Sequence, residues 1–282
     1  MMVAEIFGLI CVLSVIHVHD FNNFAMKSLE DRLPSADELA RLNQFVLLPT
    51  GVNENSFILN DSFWLKDVDF SCVSIWNSSF GNLRGGTAIS RRHIVCSKHF
   101  PLPTGCGLAF LGRNRKTYLN RIDRIRFIEN SDIQVASLEK ELPQEIVPAN
   151  ILPMNYAKFI GNGSGFPVVT FNKKRKVTLS ELMGMSTNPN SVAIYSHRSP
   201  KHCYSIYQTS IQPGDSGCPA FLLIGSDSIL LYCITGGKAG SGSSLFLFKD
   251  NIQAAMDELC PGYKLQYYNF STDNLPASVS LP

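Results

Sequence analysis

The chain has 282 residues, 45% of them hydrophobic and 17% charged, with a formal net charge of +2 at pH 7. Disordered tails, coiled coils and acidic activation segments carry more charge and less apolar content, so all three are excluded. A charge this close to neutral also removes any global electrostatic case for nucleic acid or a membrane surface as partner. The length fits one large or two small domains with a sizeable buried core.

In chain order, the first feature is Ile6–Val18, the one long apolar run. It falls short of the ~20 residues a bilayer span needs, but its length suits the hydrophobic region of a secretory signal. Glu5 precedes it and no Lys or Arg does, so a buried N-terminal helix stands as the alternative. Residues 1–20 are read as a possible signal peptide or anchor, which makes the protein secreted or extracytoplasmic. Four sequons, at Asn60, Asn77, Asn162 and Asn269, are compatible with secretion without deciding it. Eight cysteines are more than most cytosolic enzymes carry and too few for a disulfide scaffold.

Residues 21–64 read as an N-terminal extension. Ser35-Ala-Asp-Glu38 is a capping-box pattern that predicts a short helix through about Leu42. Beyond Trp64 the sequence changes to short β-like runs punctuated by Gly, Asn and Pro. Strands are expected at Ser71–Ile75, Gly86–Ser90, Ile94–Cys96, Gly107–Leu111, Ile122–Phe127 and Ile133–Leu138. A second group follows at Pro167–Phe171, Val177–Leu179, Val192–Tyr195, Ser205–Gln208, Ala220–Leu223, Ile229–Thr235 and Ser244–Phe248. Ile252, Ala255, Met256 and Leu259 then fall on one face of a closing helix. This spacing predicts an all-β barrel or sandwich rather than a βαβ protein. The basic run Lys173–Lys176 lies between two such strands and reads as a solvated hairpin tip.

The strongest local signal is Gly214-Asp215-Ser216-Gly217, followed by Cys218. Glycines on both sides of a serine allow a tight turn in which two N–H groups converge in front of the hydroxyl. A plain surface turn uses the same residue types. A nucleophilic serine needs a base, and all six histidines, at positions 17, 19, 93, 99, 197 and 202, precede Ser216. That disfavours the Ser, acid, His order of α/β-hydrolases. Gly-x-Ser-x-Gly is also missing, because Cys218 stands in place of the last glycine.

The stretch from Gly85-Gly86-Thr87 through Cys96-Ser97-Lys98-His99 resembles the trypsin-family segment that ends in Ala-Ala-His. Ser131-Asp132-Ile133 resembles that family's strand-opening Asn-Asp-Ile, and Ile234-Thr235-Gly236-Gly237 stands where the family has Val-Ser-Trp-Gly. The resemblance covers about residues 65–262 and assigns 65–282 to a trypsin-like serine protease domain. It implies an all-β fold of two six-stranded antiparallel β-barrels packed together, with a C-terminal helix. It also implies His99 as general base, Asp132 as the acid that orients it, and Ser216 as nucleophile. The N–H groups of Gly214 and Ser216 would form the oxyanion hole. Ser210, Thr235, Gly236 and Gly237 would contact substrate, with Ser210 at the base of the primary pocket favouring apolar residues there. Asp123 is the rival acid, but it sits among Arg121, Arg124 and Arg126 and reads as a surface ion pair.

Departures from the family are plain. The disulfide beside the histidine is absent, Gln212 replaces a cysteine before the nucleophile, and no Arg-Ile-Val-Gly-Gly activation site exists. In trypsin a freed N-terminus pairs with the aspartate before the serine, so here Asp215 needs another partner. The expected function is a serine endopeptidase acting on protein or peptide substrates, monomeric, with no metal or organic cofactor and no nucleic acid. Cys96-x-x-His99 with His202-Cys203 matches no common zinc spacing. An inactive binding protein on the same fold and an esterase using the same triad are the alternatives.

Overall fold

The computed structural model describes residues 21–35, 37, 47–48, 58–78, 86–185, 192–195, 205–208, 210–236 and 240–270. Residues 1–20 and all of the expected 35–42 helix except Ser35 and Asp37 lie outside this set. The fold is mostly β. Two short strands, β1 (Leu47–Leu48) and β2 (Ile58–Leu59), pair with each other. Two six-stranded antiparallel sheets follow.

The first sheet comprises β3 (Ser74–Asn77), β4 (Thr87–Ala88), β5 (His93–Ser97), β6 (Gly107–Leu111), β7 (Thr117–Phe127) and β8 (Ile133–Leu138). Its spatial order is β3-β6-β7-β8-β5-β4. Val73 bridges to Thr87, and the N–H groups of Ser74 and Ala88 donate to Gly86 and Cys72 carbonyls at 3.0 and 2.8 Å. These bonds join the two edges, so the sheet is a nearly closed barrel with few unpaired edge groups. Every residue of β8 is buried, because one face fills the barrel and the C-terminal helix, Lys249–Leu259, packs against the strand.

The second sheet comprises β9 (Pro167–Phe171), β10 (Val177–Met185), β11 (Val192–Tyr195), β12 (Pro219–Ile224), β13 (Asp227–Cys233) and β14 (Ser241–Gly242). Its order is β13-β12-β9-β10-β11-β14, with the longer strands in the run β13-β12-β9-β10. Among the described residues no strand ladder closes it. A single bridge, Gly236 to Ser241, ties the end of β13 to β14. The expected second closed barrel is therefore present only as this sheet. Phe70, Phe171 and Phe221 pack against one another in edge-to-face and tilted pairs at centroid distances of 4.9, 5.5 and 6.0 Å within a core that spans both sheets.

Several expectations shift. Ser205–Gln208 forms a 3-10 turn over Ser205–Tyr207 rather than a strand. The Tyr207 hydroxyl donates to the Pro34 carbonyl at 2.7 Å, so the apolar residue anchors the chain instead of extending it. Ser244–Phe248 is also not a strand. Ser244 accepts the Leu247 N–H on its hydroxyl and the Phe248 N–H on its carbonyl, which turns the chain into the helix. β7 and β10 run longer than the apolar pattern predicts, and β14 was not anticipated.

The basic run needs the largest correction. It does form the β9–β10 turn, but Arg175 is buried, at φ +60°, rather than solvated. Its guanidinium donates to the Ser74 carbonyl of the first sheet and lies 3.9 Å from the Cys218 sulfur. At the N-terminal side, residues 21–30 are helical, and Phe21, Ala25 and Leu29 join the main core. Their spacing of four places them along one stripe of the helix.

Candidate active site

The β5–β8 ladder sets the first part of the site. Its last pair opposes Ser97 and Ile133, and one step on the Lys98 N–H donates to the Asp132 carbonyl at 3.0 Å. Continuing the register brings His99 alongside the Asp132 side chain. Asp132 Oδ1 accepts the His99 main-chain N–H, and Oδ2 faces His99 Nδ1, both at 2.7 Å. A carboxylate only accepts, so Nδ1 carries the proton and Nε2 is left as an acceptor. Ser216 Oγ lies 2.9 Å from that Nε2. The Asp132 N–H donates to Ser243 Oγ at 2.9 Å, which ties the acid to the residue after β14.

Ser216 sits in a turn whose N–H groups divide into two sets. Those of Asp215, Gly217 and Cys218 donate to the Gln212, Ile234 and Asp215 carbonyls at 3.0, 2.8 and 3.0 Å. Those of Gly214 and Ser216 have no acceptor among the described residues. Gly214 has φ +94° and Gly217 φ +83°, a region that side chains with a Cβ rarely occupy. A Cβ on Gly217 would stand 3.3 Å from Ser97 Oγ, so the glycine lets the turn touch the end of β5. That contact brings Ser216 to His99 across the two sheets.

Asp215 is only 2% exposed, and a buried carboxylate must be hydrogen-bonded. Its Oδ2 accepts the Gln212 N–H at 2.8 Å and its Oδ1 the Lys173 N–H at 3.0 Å. These donors supply the partner that the sequence left open.

Gln134 and Ser243 are supporting residues that the sequence reading missed. Gln134 Oε1 accepts the Cys96 thiol and the Leu102 N–H, both at 2.9 Å, while its Nε2 donates to the Leu102 carbonyl at 2.7 Å. The loop after His99 is thereby pinned to β8. The available signal was the one amide in a buried strand otherwise made of apolar residues and a serine. Cys96, Cys218 and Cys233 are buried thiols outside any disulfide. Burial pushes the Cys233 thiol well up, with Cys96 and Cys218 adding to the effect, so it stays uncharged.

The remaining predicted residues are placed as follows. The Thr235 and Gly236 N–H groups donate to the Ser241 carbonyl at 2.8 and 3.4 Å. Ser210 is exposed, and its carbonyl accepts from Gln212 Nε2 at 3.3 Å. Gly237 lies outside the described residues, as do His197 and His202. Asp123 pairs with Arg124 at 3.6 Å and makes no bond to His99. No group of three or more potential metal ligands occurs among the described residues. No protein-family model and no curated protein matches the chain.

Proposed function

We propose that the protein is a serine endopeptidase with a trypsin-like arrangement, in which the second sheet plays the part of the second barrel. The observation that carries this reading is His99 standing between Asp132 and Ser216, at 2.7 and 2.9 Å. Hydroxyl, imidazole and carboxylate in hydrogen-bonded sequence make up a device for moving one proton away from a serine and back. Ser216 Oγ attacks the scissile carbonyl while His99 Nε2 takes its proton. Asp132 holds the imidazole in the required tautomer and stabilises the imidazolium as it forms. His99 then returns the proton to the leaving amine, and water hydrolyses the acyl-enzyme by the same steps in reverse.

The N–H groups of Gly214 and Ser216, which meet no acceptor among the described residues, suit the oxyanion of the tetrahedral intermediate. One such donor is worth roughly 3–4 kcal/mol of transition-state stabilisation. The segment Thr235–Gly236 is proposed to pair with substrate backbone, and Ser210 to bound the primary pocket. An apolar preference follows there, since a buried cationic side chain would need a carboxylate partner. An extracytoplasmic location rests on Ile6–Val18 alone.

The test is fluorophosphonate labelling of Ser216, followed by turnover of peptide and ester substrates side by side. Labelling with peptide turnover is the expected result. Ester turnover without peptide turnover would make the protein an esterase, and an unlabelled Ser216 would make it a binding protein. Ser216→Ala and His99→Ala should each abolish activity nearly as fully as the double variant, because the two act as a unit.

A further inference from the structure

Lys173 of the β9–β10 turn touches the nucleophile turn twice. Besides the Lys173 N–H on Asp215, Lys173 Nζ donates to the Pro213 carbonyl at 2.8 Å. That carbonyl belongs to the same peptide unit as the Gly214 N–H. In a planar trans peptide the C=O and N–H point in opposite directions. A charge holding the Pro213 oxygen on one side therefore aims the Gly214 N–H to the other side, where no acceptor among the described residues meets it. The close approach is mutual, since a Cβ on Gly214 would stand 3.2 Å from Lys173 Cδ and Nζ.

We propose that Lys173 is a positioning residue that holds the Pro213–Gly214 peptide with its N–H directed at the oxyanion, and that the β9–β10 turn keeps the nucleophile turn in this form without any cleavage of the chain. The proposal rests on the peptidase reading. It adds to that reading the element that takes over the role of a freed N-terminus. Without the lysine, no other donor among the described residues holds the Pro213 carbonyl outward, and a glycine peptide rotates readily. An ammonium on the carbonyl also withdraws charge from the peptide, which strengthens the opposite N–H as a donor. Asp215 is held by main-chain donors, so substituting the Lys173 side chain leaves that support in place.

The experiment compares the uncleaved full chain with its Lys173→Met and Lys173→Arg variants. It reads kcat and KM on one peptide substrate, affinity for a matching peptide aldehyde, and thermal unfolding. The aldehyde forms a hemiacetal with Ser216 whose oxygen occupies the oxyanion position. Lys173→Met should lower kcat roughly 100-fold with KM within about twofold, and weaken the aldehyde by a similar factor. Lys173→Arg should recover most of both, since its guanidinium can reach the same carbonyl. A Lys173→Met protein that is folded and turns over like the wild type would overturn the proposal. So would a wild-type chain that reacts only after proteolysis. Failure of the peptidase reading looks different, because wild-type Ser216 would then resist fluorophosphonate whether or not the chain is cut.

Discussion

Asp132 holds His99 at two points, taking its main-chain N–H on one carboxylate oxygen and facing Nδ1 with the other, each at 2.7 Å. The first bond fixes where the residue sits, and the second fixes which ring nitrogen carries the proton. Asp132→Asn keeps the first bond but can present an NH₂ group to Nδ1. The imidazole would then carry its proton on Nε2, where it can no longer accept from Ser216. Peptide turnover should fall by roughly 10⁴-fold with the unfolding midpoint little changed. A loss below tenfold would remove Asp132 from the triad.

Much of this was legible because it is local. The β5 and β8 strands are rich in apolar residues and Gly-Asp-Ser-Gly carries its own turn chemistry, which singled out Ser216, whereas His99 and Asp132 were reached through the resemblance to trypsin-family segments. What escaped depends on contacts far apart in the chain. Arg175 reads as one of four solvated cations until the Ser74 carbonyl, from the other sheet, is seen to receive it. Ser243 and Gln134 likewise acquire meaning only when Asp132 and Leu102 come against them. Ser244–Phe248 failed for a different reason. Its apolar residues satisfy a strand pattern, while one hydroxyl captures the backbone into a turn.

Thiol reactivity should follow burial. Cys72, Cys96, Cys106, Cys218 and Cys233 are buried thiols outside any disulfide, whereas the Cys260 thiol is partly exposed. Burial drives the Cys72 thiol strongly up, with Asp69 adding to it. Iodoacetamide acting on the native protein should therefore modify Cys260 well before these five, and all of them should react after denaturation. Peptide mapping reads this directly. A disulfide among these six would contradict the structure.

Gly217→Ala should damage activity more than stability. The backbone at φ +83° costs a side chain about 1–2 kcal/mol, and the new methyl meets Ser97 Oγ at 3.3 Å. Relief requires the nucleophile turn to withdraw from β5, which lengthens the 2.9 Å contact between Ser216 and His99. The expected outcome is a denaturation midpoint lowered by that modest amount and turnover reduced at least 100-fold. Wild-type turnover in this variant would show that the turn does not need its contact with Ser97.

His93 should make the fold acid-sensitive. It is fully buried on β5, with Nδ1 2.8 Å from Ser90 Oγ and its ring edge-on to Tyr263. Desolvation lowers its pKa from 6.5 to about 4, against the opposing pull of the Met256 carbonyl and Asp257, while Arg92 and Arg124 reinforce the shift. Above pH 6.5 both folded and unfolded chains leave this imidazole neutral, and it contributes no pH dependence. As pH falls from 6.5 towards 4 the unfolded chain takes a proton that the folded one refuses, so stability is lost across that window. At ~1.36 kcal/mol per pH unit the loss is on the order of 3 kcal/mol by pH 4. His93→Gln lacks the titrating group, so it should be less stable than wild type at pH 7 but show a flatter decline below pH 6.5. Urea unfolding of both proteins at pH 7, 5.5 and 4.5 measures the two slopes, and equal slopes would rule out His93 as the acid-sensitive group.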